Sequence, residues 1–373
     1  MFSSTLGVRL VLLLGDTVPL PAPYEVMTAL SRAEVTMDAS GADGFQLTFQ
    51  LSKDTVADYG LVLTGALDPF KRVIIAVVMG VLPEVLIDGV ITHHQLDPGQ
   101  EPGSATLTVT GKDLTQLMDL ERKNEEFPNQ PDFVIAGRVL ASYARYGVVP
   151  SPAPTTDVPI SLQRTPRQAD ETDLAFLKRM ATRNGYVFFV EPVTFGVSTA
   201  YWGPEVRASL PQPALTTGGG PSANTKSLRF SQDPLAPVAT RVSFVEPFTG
   251  MVITLPALPS LKLPPLSASP VQARRTGPSR DTGQANPAQA ALASAAAATS
   301  APDAVTGEGE VDSVRYGHAL RARKLVGVRG AGLSYDGLYY VQNVTHSISP
   351  GEYKQSFSLS REGTTSTVPA VVP

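Results

Sequence analysis

The sequence contains no cysteine among its 373 residues. That absence excludes disulfide bonds, thiolate metal sites and cysteine nucleophiles. Net charge is also small: Lys and Arg number 30, Asp and Glu number 34, and the balance is −4. A balance this close to neutral gives no electrostatic basis for nucleic acid as the main partner. The charged fraction of 17% lies below the roughly 25% of typical soluble domains, which favours a surface partly covered by subunit contacts.

Long hydrophobic runs are missing as well. Residues 6–14 form a short apolar stretch that contains Arg9 and precedes a proline-rich segment. A secretory signal peptide is the alternative interpretation, but no small-residue cleavage site follows, so a buried first strand is favoured. Residues 73–91 contain a proline and two acidic residues, whereas a membrane-spanning helix needs about 20 apolar residues with few charges. They predict two buried strands, 73–78 and 84–92.

Recognisable catalytic motifs are absent too. The histidines fall in no H-E-x-x-H or H-x-H spacing; they are His93, His94, His318 and His346. Adjacent histidines on a strand point to opposite faces, so the first two do not share a metal easily. The sequence has no G-x-S-x-G element, and Gly111-Lys112-Asp113 lacks the Ser or Thr of a phosphate-binding loop. The sequence therefore predicts no catalytic, cofactor-binding or metal-binding residues, and a Ser–His–Asp triad could form only through tertiary contacts.

Glycine and proline, in contrast, are abundant, at 31 and 33 residues, which favours turns and short strands over long helices. Phe45, Leu47 and Phe49 alternate with polar residues, which predicts a strand with one buried face. Residues 33–38 alternate in the same way and precede that strand across a glycine-containing turn. Residues 1–110 therefore predict a small antiparallel barrel or sandwich.

Helical periodicity begins after Gly111. Residues 112–122 and 132–146 each carry apolar residues at helix spacing, and the second stretch stops before Gly147, as helices often do. This part of the chain therefore predicts short amphipathic helices.

The clearest helix signal starts at Asp170-Glu171-Thr172-Asp173. Acidic and capping residues suit a helix N-terminus, which explains this cluster better than a pair of catalytic carboxylates. The apolar stripe of the predicted helix consists of Leu174, Leu177 and Ala181. Gly185 ends it, and a strand is expected to follow.

Residues 264–306 differ sharply in composition, since they are mostly Ala, Ser, Pro and Gly and contain no aromatic residue. Ordering a residue costs roughly 1–2 kcal/mol of backbone entropy, while burying one Leu returns only about 1.5–3 kcal/mol. The stretch is therefore predicted to be a flexible insert, in which residues 288–298 are a candidate for a transient helix. Strand patterns precede it at 240–244 and resume at Val311, so the insert interrupts a β domain.

One segment resembles the pattern of a known family. It reads E-T-D-h-x-F-L-x-R-h-A-x-x-x-G-aromatic, where h is apolar. The match is carried by Glu171, Asp173, Phe176, Leu177, Arg179, Ala181, Gly185 and Tyr186. It resembles the phage late control protein D family of baseplate hub proteins and the related N-terminal hub part of type VI VgrG spike proteins.

Two further segments support the resemblance. Residues 109–114 are similar to the family's x-G-x-D-L start of its helical part. Residues 339–361 look like its closing hairpin, Y-x-V-x-x-V-x-H…G-Y-x-x-x-x-x-L-x-R. The three matches follow the family order and span residues 109–361.

The resemblance implies a β-rich α+β fold with two tail-tube-like antiparallel β-barrels and a small α/β subdomain inserted between them. The expected domains are the first barrel at 1–110, the α/β subdomain at 111–200, the second barrel at 201–263 and 307–363, the Ala/Pro/Ser-rich flexible insert at 264–306, and a C-terminal tail at 364–373.

The resemblance also implies a function. Family hubs are trimers, in which two similar barrels per chain give a pseudo-sixfold ring between a hexameric tail tube and a trimeric spike. The expected partners are two further copies of the chain, a tail tube protein or tube-initiator ring, a separate central spike protein, and other baseplate proteins, with no nucleic-acid specificity and no cofactor. The expected location is the baseplate of a virion or injection particle assembled in the bacterial cytoplasm, with no signal peptide or transmembrane segment.

Two alternatives stand beside the hub. One is another structural component of a tail or tube. The other is a cell-wall-degrading enzyme of the baseplate, which requires a pair of carboxylates in a cleft of a largely helical domain that the sequence does not predict.

Overall fold

The computed structural model describes residues 7–51, 61, 64–80, 82–100, 104–155, 167–218, 220–245, 249–256, 258, 260, 262–278 and 287–368. Within them the α-helices are α1 (Tyr24–Ala29), α2 (Asp132–Ala141), α3 (Asp173–Asn184), α4 (Pro287–Ser300) and α5 (Ser313–Tyr316). None of these described helices is long and apolar enough to cross a membrane.

Strands dominate the fold. The first are β1 (Arg9–Gly15), β2 (Leu20–Pro21), β3 (Leu30–Asp38), β4 (Gly44–Gln50), β5 (Arg72–Val78), β6 (Pro83–Asp97) and β7 (Thr106–Asp113). Next are β8 (Arg122–Glu126), β9 (Val148–Pro152), β10 (Arg167–Thr172), β11 (Val187–Thr194) and β12 (Val197–Gly203). Then follow β13 (Gln212–Thr216), β14 (Thr225–Gln232), β15 (Val238–Val245), β16 (Val252–Leu255), β17 (Ser267–Pro270) and β18 (Arg275–Pro278). The last are β19 (Val305–Asp312), β20 (Leu325–Arg329), β21 (Gly337–Ser349), β22 (Glu352–Arg361) and β23 (Gly363–Ser366).

The described strands include one large sheet of thirteen strands. Its first half consists of β1–β7, and its second half of β13, β14 and β19–β22. The pairings are antiparallel except for β13 with β20. One hydrophobic core cluster contains residues of both halves, so the two halves share a buried interior. The predicted strand-rich fold is confirmed.

The buried strands of the first half match their predictions. In β1, Leu10, Leu12 and Leu14 are buried, so the first apolar stretch forms a strand that pairs with β5. All seven residues of β5 are buried. Its outer face, with Ile74, packs against Phe195 of the β11–β12 turn, which explains why the segment has no polar alternation.

The two halves have the same strand order. The first reads β3-β4-β7-β6-β5-β1, and the second reads β14-β19-β22-β21-β20-β13. Irregularities coincide as well, because register shifts occur at Ile91/His93 in β6 and at Val341/Asn343 in β21. The residues two positions before β5 and β20, Phe70 and Arg323, both have positive φ, at 65° and 64°. The second half therefore repeats the topology of the first, except that β1 pairs with β5 in antiparallel orientation.

The halves are joined edge to edge. Strand β3 pairs antiparallel with β21, from Asp38 opposite Asn343 to Ala33 opposite Ile348. The hydroxyls of Thr36 and Thr345 lie 3.3 Å apart across this junction. No ladder between described strands closes either half into a ring, so the structure shows one continuous sheet.

The middle part, residues 114–203, has its own core. It contains α2, α3, the β8–β10 ribbon and a three-stranded sheet in the order β11-β12-β9. The buried pair Arg72–Asp88 ties it to the first half, since Arg72 also donates to the carbonyl of Gly196 at 3.2 Å. The predicted helix at 112–122 is wrong in type, because a six-residue 3-10 helix at Leu114–Asp119 takes its place.

The predicted helix near residue 170 starts later than expected. Thr172 is the N-cap and accepts from the backbone N–H of Ala175, while Asp170 belongs to β10 with a positive φ of 49°. At the other end Gly185 adopts the left-handed conformation with φ 67°, as predicted. The predicted stripe needs correction, because Leu174 is only half-buried. The fully packed face consists of Phe176, Leu177, Met180 and Ala181.

The stretch predicted to be a flexible insert contains ordered elements. Strand β17 pairs with β23, and β18 pairs in parallel with β15. Helix α4 buries Ala290 against Val242 of β15 in a small cluster. The helix covers the segment proposed as transient. The flexibility of residues 264–306 stays a prediction.

Candidate functional site

The histidines lie in different environments. On β6, His93 is exposed and His94 half-buried, on opposite faces as predicted. His318 is exposed, with its Nδ1 3.7 Å from Glu84, and His346 is fully buried. No cluster of three or more His, Cys, Asp or Glu side chains suited to a metal exists among the described residues.

The first motif is organised around Asp173. Its buried carboxylate accepts from the Lys123 ammonium at 2.6 Å, the Tyr143 hydroxyl at 2.6 Å and the Gln168 amide at 3.0 Å. These donors come from β8, from the end of α2 and from β10, so one carboxylate ties three elements to the start of α3. Burial, followed by the hydrogen bond to Asp173, raises the pKa of the Tyr143 hydroxyl. The acidic group therefore has a structural role, and the sequence predicted only its place at a helix start.

The second motif contains Asp113, which caps the 3-10 helix by accepting from the N–H of Thr115 at 3.0 Å. A backbone N–H of Asp43 also donates to it at 3.3 Å. Arg323, from the second half, donates to both oxygens of the Asp43 carboxylate. Burial and the neighbouring Asp43 carboxylate raise the pKa of Asp113 to about 6. This cluster joins the first half, the second half and the middle part.

Glycine at 111 in the same motif is required by packing. A Cβ at Gly111 would lie 2.2 Å from the Phe45 ring and 2.3 Å from the carbonyl oxygen of Val90. No side chain fits at that distance, so the crowding of three strands explains the residue.

The third motif places polar groups inside the second half. His346 Nδ1 lies 2.8 Å from the Tyr353 hydroxyl, and burial lowers the pKa of His346 to about 3, so the imidazole is neutral at physiological pH. Arg361 donates to the carbonyls of Gly363, Asp336 and Ser334 at 2.8–3.0 Å. Its guanidinium also lies 4.3 Å from the centre of the Tyr339 ring. The residues of the third motif therefore hold β21, β22 and the loop before β21 in place.

A network of ion pairs was missed by the sequence analysis. Arg207 is buried between Glu205, Asp303 and Glu362, with 3.0 Å to Asp303. Lys262 also pairs with Asp303 at 3.0 Å. Burial alone would raise the pKa of Asp303, but the two cations lower it overall. These residues are scattered over the sequence with no local pattern, so only the fold brings them together.

An open pocket of about 430 Å³ lies where the first half, the middle part and the second half meet. Two ion pairs lie in its lining, His318 with Glu84 and Lys324 with Glu191 at 3.1 Å. Arg321 also lines the pocket and has a buried side-chain nitrogen with no hydrogen-bond partner among the described residues. The described lining contains no serine, threonine or cysteine.

The large sheet also presents a solvent face. It extends over eight neighbouring strands, β6, β7, β4, β3, β21, β22, β19 and β14. Its outward residues are mostly short and polar. In the register they form rows such as Thr108, Thr48 and Arg32, or Thr36, Thr345, Ser356 and Glu310. The candidate functional surface of this molecule is therefore a sheet and its edges.

Known proteins resemble this chain in structure. The sequence matches no family model and no curated protein. A tail protein from Neisseria meningitidis superposes with a TM-score of 0.61 at 15% identity, covering 96% of this chain and 98% of that chain. A tail protein of prophage MuSo2 from Shewanella oneidensis gives 0.64 at 15% identity, covering 95% and 98%.

The chain has the fold of phage tail proteins. An Escherichia coli component of the type VI secretion system, described as structurally similar to two bacteriophage T4 tail proteins, shares this tail-protein fold. Its TM-score is 0.56 at 13% identity, over 92% of this chain and 77% of that chain. The resemblance drawn from the three motifs is confirmed at the level of the fold.

Proposed function

We propose that the chain is the structural hub of a contractile phage tail or of a related injection system. The observation that carries the proposal is the repeated strand order of the two halves, joined edge to edge by β3 and β21. Three copies of such a chain supply six similar units, while the molecule as a whole keeps threefold symmetry. It would thus connect a hexameric tube to a trimeric spike.

Each half is proposed to act as one tube-like barrel. The second half supports this, since the side chain of Asn224, before β14, bonds to Ala214 and Thr216 of β13 at 2.8 and 2.7 Å, which draws its first and last strands together. We propose the domain limits 1–110, 111–200, and 201–263 with 307–363, with a flexible insert at 264–306 and a tail at 364–373. A separate spike protein and a tube protein are the proposed partners, within a baseplate assembled in the bacterial cytoplasm.

A structural role fits the buried charges better than catalysis does. The carboxylates of Asp88, Asp173 and Asp303 each accept from cations and neighbouring donors. Groups held in this way stabilise a fold, whereas a general acid or base must reach a substrate. We therefore propose that the chain is not an enzyme.

Light scattering on the purified protein, with and without its spike partner, tests the hub. The expected particle contains three chains of 39.4 kDa each. A monomer under both conditions would overturn the proposal. A stable hexamer would favour the alternative of another tube component, because a hexamer would present twelve units instead of six.

A further inference from the structure

The open pocket where the three parts meet contains one cation that no described group compensates. Arg321 lines this pocket, and its guanidinium forms no hydrogen bond and no ion pair with any described residue. One of its nitrogens, Nη1, is also buried. A charged group taken out of water needs a partner, and Arg72, Arg207 and Arg361 of this chain all have carboxylate or carbonyl partners. Arg321 departs from that rule.

The backbone of Arg321 is held in place by its neighbours. The side-chain oxygen of Gln212 accepts from the Arg321 N–H at 2.7 Å, and the side-chain nitrogen of Gln212 donates to the Arg321 carbonyl at 2.9 Å. The preceding residue, Leu320, is fully buried and donates its N–H to the Gln355 side chain at 2.8 Å. A group that is already fixed loses less entropy when a ligand binds to it. The unpaired guanidinium therefore stands on a rigid support.

The buried side chains that sense the charge of Arg321 are neutral. Burial, followed by the positive charge of Arg321, lowers the pKa of His346 to about 3. Burial also raises the pKa of the Tyr353 hydroxyl. Neither group carries a negative charge at physiological pH, so neither is a counter-ion for the guanidinium.

The other charged groups of the described lining lie close to partners of their own. Lys324 pairs with Glu191 at 3.1 Å, and Glu84 lies 3.7 Å from His318 Nδ1. When His318 is neutral, the charges of the two cations and the two carboxylates in this lining cancel. The pocket therefore suits one negative charge at Arg321 better than a doubly charged phosphate.

Part of the remaining lining is apolar. Pro192 and Val193 contribute from the end of β11, and Pro213 from β13. Ligand sites combine apolar walls with a few polar groups that fix the orientation of the ligand. A guanidinium suits a carboxylate, because two of its N–H groups can donate in parallel to the two oxygens. The chemistry of this pocket thus matches a carboxylate on a short aliphatic chain.

We propose that this pocket binds a carboxylate carried on a short aliphatic chain, and that Arg321 is the group that holds it. Two sources share this chemistry: a glutamate side chain of another protein and a free organic acid. The inference goes beyond the proposed hub function and does not depend on how many chains the particle contains.

Tethering tests the site, since the chain has no cysteine of its own. Val193 is 68% exposed, so Val193→Cys in the full chain places a single accessible thiol at the pocket. This protein is equilibrated with the disulfides of mercaptopropionate, of mercaptobutyrate and of the uncharged mercaptoethanol. Mass spectrometry then measures the ratio of acid adduct to alcohol adduct. Attachment raises the effective concentration of the acid, which makes weak binding measurable.

We expect the ratio at the better chain length to be about fivefold higher in Val193→Cys than after the further change Arg321→Gln, because a charge-assisted hydrogen bond is lost. Arg321→Lys keeps the charge but not the planar fork, so it should keep only part of the preference. The matched control is Arg229→Gln, which removes an exposed arginine of β14 and should leave the ratio unchanged.

A ratio that is the same with and without Arg321 overturns the proposal. Arg321→Gln is expected to fold, since the guanidinium has no described partner to lose, and urea unfolding checks this. If it does not fold, Arg321→Lys decides, and an undiminished preference in that variant overturns the role of the guanidinium. Light scattering on the same proteins keeps the two proposals apart: a trimer without the preference refutes only the pocket, and a monomer with it refutes only the hub.

Calorimetry on the chain without the tether separates the two sources. The probes are butyrate and an end-blocked peptide, Ala-Leu-Glu-Leu-Ala. Tighter binding of the peptide supports a glutamate of another protein, and similar affinities support a free acid. In either case Arg321→Gln must weaken binding, and equal affinities in the parent and in this variant contradict the site.

Discussion

The two halves of the sheet share a strand order but are stabilised differently. In the first half every residue of β5 is buried, because the middle part covers its outer face. In the second half the equivalent strand β20 is buried as well, over four of its five residues, and the difference lies in β21 and β22, which bury polar groups on their inner face, among them His346, Gln355 and Arg361. A strand that is covered on both faces needs apolar residues on both sides. A strand that is covered on one face can also be held by hydrogen bonds between buried polar groups. The same topology therefore arises from two different sequence patterns.

Their connections differ as well. Residues 39–43 link β3 to β4, while residues 233–304 link the equivalent strands β14 and β19. The cost of closing a loop grows only slowly with its length, so one half tolerates a long excursion at the position where the other has a tight turn.

The largest expected effect is a loss of stability of the first half, caused by a substitution in the middle part that covers it. Leu177 is fully buried in the middle part, so Leu177→Asp places an unpaired charge in an apolar core, which costs several kcal/mol. We expect insoluble protein, or loss of hydrogen-exchange protection in the middle part and β5 before β21. Lys178→Asp, on the exposed side of α3, is the control. A Leu177→Asp protein that melts like the parent would show that this face of α3 does not pack.

The next effect is confined to the second half. Arg207→Ala leaves Glu205, Asp303 and Glu362 with less compensation, and breaking a buried ion pair costs about 3–5 kcal/mol. Arg122→Ala removes a pair with Asp170 whose side chains are 70% and 73% exposed, so it should cost about 0–1 kcal/mol. Urea unfolding measures both. Equal losses would mean that the Arg207 network contributes no more than a surface pair.

The cluster between the halves predicts a pH dependence. Burial and Asp43 raise the pKa of Asp113 from 3.8 to about 6, so between these values the native state binds the proton more tightly than the unfolded chain. The contribution of Asp113 to stability therefore falls as pH rises from about 4 to 6. Asp113→Asn should gain on the parent by on the order of 2–3 kcal/mol across that window. Unfolding at pH 4 and pH 7 tests this, with the exposed Asp119→Asn as control; a constant difference would contradict it.

The smallest effect concerns the long connection. The contacts of Leu266 and Ser267 with the C-terminal strands, and of Asp303 with Arg207, place those residues in the sheet's framework. Replacing residues 271–300 by a short Gly/Ser loop therefore removes only β18 and α4. We expect cooperative unfolding within about 2 kcal/mol of the parent, since the losses are the cover of Val242 and the contact of α4 with α3. Trypsin should cut the parent first at the exposed Arg274 and Arg275. Failure of the shortened chain to fold would make α4 part of the core.

Patterns among neighbouring residues predicted many of the helices and strands. They did not predict contacts between distant parts of the chain. The alternation of Phe45, Leu47 and Phe49 predicted β4, because burial on one face of a strand repeats every second residue. The glycine at 185 predicted the end of α3, since its left-handed conformation is a local requirement. The 3-10 helix after Asp113 was predicted as an α-helix, because six residues do not distinguish the two.

Local patterns could not predict the candidate surface. Pairing of β3 with β21 joins residues some three hundred positions apart, and nothing in either strand names its partner. Asp173 was predicted only as a helix-start residue, but its three donors come from other elements. Only the motif order indicated that such distant segments belong to one architecture.

The polar side chains on the solvent face of the sheet determine how that surface interacts with water. Among the described residues of its eight strands, the one large apolar side chain with substantial exposure is Leu96, and it lies on the other face of β6, the same side as the buried Leu107. Apolar patches are what allow a surface to capture other chains, while short hydroxyl and amide groups hold a film of water. A hydrated and nearly neutral face of this kind offers another macromolecule few places to adhere.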